Sequence, residues 1–213
     1  MTYTRAIGIG AGKILFWIVR ALALSRIHPN VLTFIGLLIN IYAAVLLASG
    51  KFLYAGLVII GAGLFDMVDG RVARETKRVT RFGAFFDSVV DRYSDLALLM
   101  GLLVWYANIN RNFYVVLTAV VMTASVMISY TRSRAENVIP SCKAGFLERP
   151  ERVVLLIIGA LADRMAPVLW TIAILGNITV IHRMMHTWDI TKAMDLAEQQ
   201  QENRVLATTN SGR

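Results

Sequence analysis

The sequence predicts an all-α integral membrane protein, with six transmembrane helices preceded by an N-terminal amphipathic interfacial helix. Three observations carry this. The 213 residues are 56% hydrophobic with a mean hydropathy of +0.58, more apolar than a soluble domain of that length. The apolar residues gather in stretches of about twenty, the length that crosses a hydrocarbon core. The basic residues fall almost entirely on one side of those stretches.

Residues 1–28 come first. An apolar run ending in Ala21-Leu22-Ala23 has the outline of a cleaved signal, but Lys13 and Arg20 interrupt it. These two lie seven residues apart, on one face of a helix, with Leu15, Ile18 and Leu22 on the other. A helix lying in the membrane interface has that pattern.

Six spans follow, over residues 31–49, 52–65, 82–107, 113–130, 149–161 and 166–184. Each is expected to be helical, because a backbone in lipid must satisfy its own hydrogen bonds. The second and fifth are short in purely apolar residues and cross only if flanking charged residues are helical in a polar cavity or at the interface. Residues 29–187 thus form a six-helix transmembrane catalytic domain. From Trp188 the chain turns polar, with Glu198-Gln199-Gln200-Gln201-Glu202, and reads as a solvated or disordered C-terminal tail over 188–213.

Of the 22 lysines and arginines, 18 fall on one side of six spans. Three (Lys51, Arg111, Arg164) fall on the other, and Arg92 lies inside a span. The positive-inside rule then places both termini and the long basic loops in the cytoplasm; five spans would mix the charges. The expected location is the inner, cytoplasmic membrane, multi-pass, among membrane lipids. The net charge of +8 is accounted for by this cationic face, and no nucleic-acid partner is expected. Cys142, the single cysteine, has no partner for an internal disulfide.

The chemistry concentrates in Asp66-Met-Val-Asp69-Gly70-Arg71-Val-Ala73-Arg74 and, eight residues on, Gly83-Ala-Phe-Phe-Asp87-Ser-Val-Val-Asp91. Asp66, Asp69 and Ala73 are spaced i, i+3, i+7, and Gly83, Asp87 and Asp91 i, i+4, i+8, each set on one helix face. The short link makes the two helices antiparallel neighbours, so four carboxylates converge. One such aspartate would pass as a helix cap. Four facing each other in an apolar chain need a counter-charge. Hard divalent cations supply it, and Mg²⁺ or Mn²⁺, as two ions, suits a pyrophosphate. Asp95 extends the stripe one more turn, near Arg92, and is expected to join a buried structural pair or network.

The pattern D-x2-D-G-x2-A-R-x8-G-x3-D-x3-D resembles that of the CDP-alcohol phosphatidyltransferases, with every fixed position matched. The resemblance implies a six-span fold, often homodimeric, that transfers a phosphatidyl group from CDP-diacylglycerol to an alcohol and releases CMP. It implies metal ligation by Asp66, Asp69, Asp87 and Asp91, with Asp91 also the general base. It places Gly70, Ala73, Arg74 and Gly83 along the CDP site. Pro29, Asn30 and Thr33 resemble the family's Pro-Asn-x-x-Thr entry, equally readable as a helix start. Thr80 caps the third span, contacts a phosphate, or both.

The loop after the fourth span carries Arg132-Ser-Arg134-Ala135-Glu136 and Glu148-Arg149-Pro150-Glu151-Arg152. Arginine holds phosphate bidentately. These elements, with His182-Arg183, resemble the bacterial phosphatidylinositol-phosphate synthases of the family. That branch implies a phosphorylated acceptor, inositol phosphate first, with Arg132, Arg149 and Arg183 on its phosphate. Glycerol 3-phosphate is the alternative acceptor. A divalent-cation transporter also fits the carboxylates, though not the glycine, alanine and arginine spacing.

Overall fold

A computed structural model describes residues 29–75 and 80–211, with the side chains of 29, 67–75, 202 and 204–211 outside the described set. The interfacial helix expected over 1–28 lies outside it as well. The described residues form six helices and no strand. These are α1 (Pro29–Ala48), α2 (Phe52–Glu75), α3 (Arg81–Asn108), α4 (Asn112–Ala135), α5 (Arg149–Leu161) and α6 (Met165–Ser211).

The tight links at 49–51, 109–111 and 162–164 reverse the chain, so successive helices run antiparallel. One end of the bundle carries the links Gly50 and Asp163 and a belt of aromatics. There Phe52 packs edge-on to Trp105, and Phe113 lies beside Trp170. The other end gathers the charged residues. Between them Ala43, Leu47, Ala55, Ile59, Leu98, Leu102, Val121, Leu169 and Ile172 form a continuous core. Helix α3 lies against α1 because Gly101 has no side chain: a Cβ there would come within 2.3 Å of the Ala44 carbonyl oxygen. Small residues let membrane helices pack by close backbone approach. Large apolar side chains such as Phe34, Tyr42, Val45, Leu57 and Ile174 point outward, as lipid-facing residues do.

Three helices are long and apolar enough to cross a membrane: Asn30–Ala48, Asn112–Ala135 and Met165–Gln201. Phe52–Asp66 is a shorter apolar helix. It gains length as the second span requires, because the helix continues through its charged residues to Glu75. Helix α3 has 28 residues, about 42 Å, with Asp87, Asp91, Arg92 and Asp95 within its first fifteen. Helix α5 does not lengthen. Its 13 residues span about 20 Å, short of a hydrocarbon core of about 30 Å. The preceding loop is tucked against the bundle, with Ile139, Cys142 and Leu147 buried.

Helix α6 pins that loop. Thr179 Oγ1 accepts from the backbone N–H groups of Phe146 and Leu147, at 3.4 and 3.3 Å. Arg183 Nε donates to the Ala144 carbonyl at 2.7 Å. The turn needs Gly145, whose φ is +118° and whose added Cβ would meet Thr179 Cγ2 at 2.6 Å. Gly145→Ala is expected to cost about 1–3 kcal/mol. The loss shows as a thermal midpoint lowered by several degrees in detergent, and an unchanged midpoint would contradict this account of the loop.

The tail expected to be solvated or disordered is helical: α6 runs without a break to Ser211, and the side chains from Lys192 to Gln201 are exposed. Ala, Leu, Met, Glu and Gln are strong helix formers, and extending an existing helix needs no new nucleus.

Candidate active site

The charged end of the bundle encloses a cavity of about 740 Å³, lined from α3, α4, the loop before α5, α5 and α6. It has an acidic wall, a basic wall and a buried floor.

Helix α3 builds the acidic wall, and Asp66 of α2 stands beside it. Carboxylate oxygens of Asp66, Asp87 and Asp91 lie within 4.8 Å of one another. The four-residue spacing of Asp87 and Asp91 puts both on one face of α3, the face turned toward Asp66. Asp69 lies one turn beyond Asp66 on α2, its side chain outside the described set. Arg149, the second residue of the Glu148-Arg149 pair that opens α5, reaches across to this wall. Its Nη1 lies 2.8 Å from Asp66 Oδ2 and 2.7 Å from Asp91 Oδ1. One guanidinium thus faces three carboxylates, and hard oxygen donors in charge excess suit a small divalent cation. The donor set therefore fits Mg²⁺ or Mn²⁺.

The floor is the Asp95–Arg152 ion pair, 2.5 Å between Oδ2 and Nη2, with 9% and 4% of the two side chains exposed. Asp95 Oδ1 also lies 3.5 Å from Arg149 Nε. The network expected for Asp95 is present, but its partners are corrected. Arg92 turns back to the carbonyl and hydroxyl of Ser88, one turn earlier, while Asp95 pairs with α5. Arg152 lines the cavity, while its Nη1 is buried without a hydrogen-bond partner.

The basic wall centres on Glu148. Its Oε1 accepts from Arg132 Nη1 at 2.9 Å and from Arg183 Nη2 at 3.1 Å. Arg132 also pairs with Glu136, one turn on in sequence, at 3.1 Å. Arg183 is 1% exposed; besides Ala144 it donates to the Ile128 carbonyl.

The entry to α3 collects a further group. Thr80 caps the helix, its Oγ1 accepting from Gly83 N–H at 2.9 Å. A Cβ at Gly83 would lie 3.4 Å from Asn30 Oδ1, so the Pro-Asn-x-x-Thr segment of α1 meets this helix start. Thr33 is buried just along α1. Gly70, Ala73 and Arg74 lie on the last turns of α2, where side chains are outside the described set.

Residues 26–190 match the sequence pattern of the CDP-alcohol phosphatidyltransferases. The chain belongs to that family. The phosphatidylinositol phosphate synthase of Mycobacterium tuberculosis (strain ATCC 25618 / H37Rv) is 34% identical over 189 residues, covering 84% of this chain and 87% of that protein. A crystal structure of the M. tuberculosis phosphatidylinositol phosphate synthase with CDP-DAG bound superposes with a TM-score of 0.77 at 33% identity, covering 83% of this chain and 94% of that one. A second, in complex with manganese and citrate, gives 0.74 at 34% identity, covering 80% and 87%.

In this CDP-alcohol phosphatidyltransferase, Asp66, Asp87 and Asp91 come together as their spacing predicts. The three arginines of the expected acceptor site share one cavity but not one point. Arg132 and Arg183 meet at Glu148, whereas Arg149 faces the aspartates. Arg152, Asp95 and Glu148 were not singled out for the site. Arg152 stands three residues after Arg149, one turn along the same face of α5. That spacing was the available signal; its partner, 57 residues away, was not.

Proposed function

We propose that this CDP-alcohol phosphatidyltransferase moves the phosphatidyl group of CDP-diacylglycerol onto inositol phosphate, releasing CMP. One observation carries the reading: a carboxylate wall and an arginine wall face each other across a single cavity. The first suits a metal-held pyrophosphate and the second the phosphate of an acceptor. The names of the similar synthases agree with that acceptor.

Asp66, Asp69, Asp87 and Asp91 hold the divalent ions, which when bound offset charge on the donor's pyrophosphate. Pro29, Asn30, Thr33, Gly70, Ala73, Arg74, Thr80 and Gly83 hold the CDP moiety. Arg132 and Arg183 receive the acceptor's phosphate. Arg149, between the walls, orients Asp91 and the acceptor together. Asp91 takes the proton from the acceptor hydroxyl. The hydroxyl oxygen bonds to the phosphatidyl phosphorus as that phosphorus parts from CMP, which leaves with the bonding pair. The six helices cross the inner membrane with this cavity open to the cytoplasm, where the basic loops lie. The outward apolar side chains meet lipid and a second copy in a homodimer.

Incubation of the purified protein with radiolabelled CDP-diacylglycerol, Mn²⁺ and inositol phosphate tests this. The expected product is labelled phosphatidylinositol phosphate. A product formed only with glycerol 3-phosphate would reassign the acceptor.

A further inference from the structure

We propose that Glu148 is a built-in stand-in for the acceptor's phosphate: its carboxylate holds Arg132 and Arg183 ready and is displaced from them when the acceptor binds. This rests on the reading of the basic wall as the acceptor-phosphate site. Glu148 occupies the cap position of α5, yet its side chain makes no capping bond. It turns instead to the two guanidinium groups, and a single oxygen, Oε1, accepts from both. Two charged N–H donors aimed at one oxygen is an arrangement a phosphate oxygen also satisfies.

Of the three groups, Arg183 cannot yield. Only 2% of its side chain is exposed, and Nε and Nη1 are held by the carbonyls of Ala144 and Ile128. Glu148, with 45% of its side chain exposed, can swing out to water. A dianion can offer a separate oxygen to each guanidinium, and so outcompete one carboxylate oxygen shared by both, whereas an uncharged hydroxyl cannot. Glu148 so becomes a specificity filter: it weakens binding of every acceptor and excludes those without a phosphate.

Inorganic phosphate is the probe, measured on the full chain in detergent with Mn²⁺ as an inhibitor competitive with inositol phosphate. Glu148→Gln keeps the shape and removes the charge, and its phosphate inhibition constant should fall about tenfold. Glu148→Ala, on a half-exposed side chain, should show the same gain. Glu136→Gln removes the same charge from the same cavity without freeing Arg183, and should give a clearly smaller gain. Equal gains from Glu136→Gln would mean general charge rather than displacement, and overturn the proposal. So would weaker phosphate binding in both Glu148 variants, which would make Glu148 a support for the arginines. If phosphate does not compete with the acceptor even in the wild-type protein, the acceptor-site reading itself falls, and this proposal with it.

Discussion

Asp91→Asn is expected to lower kcat by about 10²–10⁴-fold, the usual contribution of a positioned general base. The amide fills the same volume but cannot accept the hydroxyl proton. Asp91 is the one carboxylate that lines the cavity and also contacts Arg149 Nη1, at 2.7 Å. It is therefore the acid of this wall best placed toward the acceptor. On the proposed assignment Asp66, Asp69 and Asp87 remain to hold metal, so CDP-lipid binding should persist in the variant. Steady-state kinetics combined with donor binding separates the two effects. An Asp91→Asn protein that turns over normally would remove Asp91 from the base role.

Metal removal is expected to be as severe. Asp66, Asp87 and Asp91 approach within 4.8 Å, and Arg149 is the cation the described residues place against them. A donor pyrophosphate brings further negative charge to that wall. Excess chelator should reduce turnover by at least ~100-fold, since a bound ion contributes several kcal/mol to such a transition state. Mg²⁺ or Mn²⁺ should restore it. The same ions should raise the thermal midpoint without any substrate, because a ligand of the native state stabilises by about 2.7 kcal/mol at 100 times its Kd. Full activity in chelator, or no thermal response to either ion, would contradict the assignment of this wall.

What the sequence disclosed follows the range of the interactions. The helices were legible because apolar runs and charge asymmetry are local. Asp66 was legible from the i, i+3, i+7 spacing of Asp66, Asp69 and Ala73, and Asp87 and Asp91 from their four-residue spacing, each of which selects one helix face. Asp95 was recognised as buried, but its partner was misread. The nearby Arg92 bonds within its own turn, whereas Arg152 arrives from another helix. No local period reports such a pairing. Arg183 was read as a phosphate ligand, yet two of its three nitrogen groups bind carbonyls that fix the loop before α5. That second task depends on Gly145 and Thr179, whose meeting with Arg183 only the fold creates. The polar tail shows no apolar face to mark a helix, although its composition favours one continued from α6.

The central claim is that the basic wall selects a phosphate on the acceptor. Its most direct test is the ratio of kcat/KM for inositol phosphate to that for free inositol, with CDP-diacylglycerol saturating and Mn²⁺ present. One charge-assisted contact changes binding by roughly 10- to 150-fold, and this wall offers contacts from Arg132 and Arg183. The account predicts a ratio above about 100 that falls at least about tenfold in Arg132→Met. A wild-type ratio near one would contradict it.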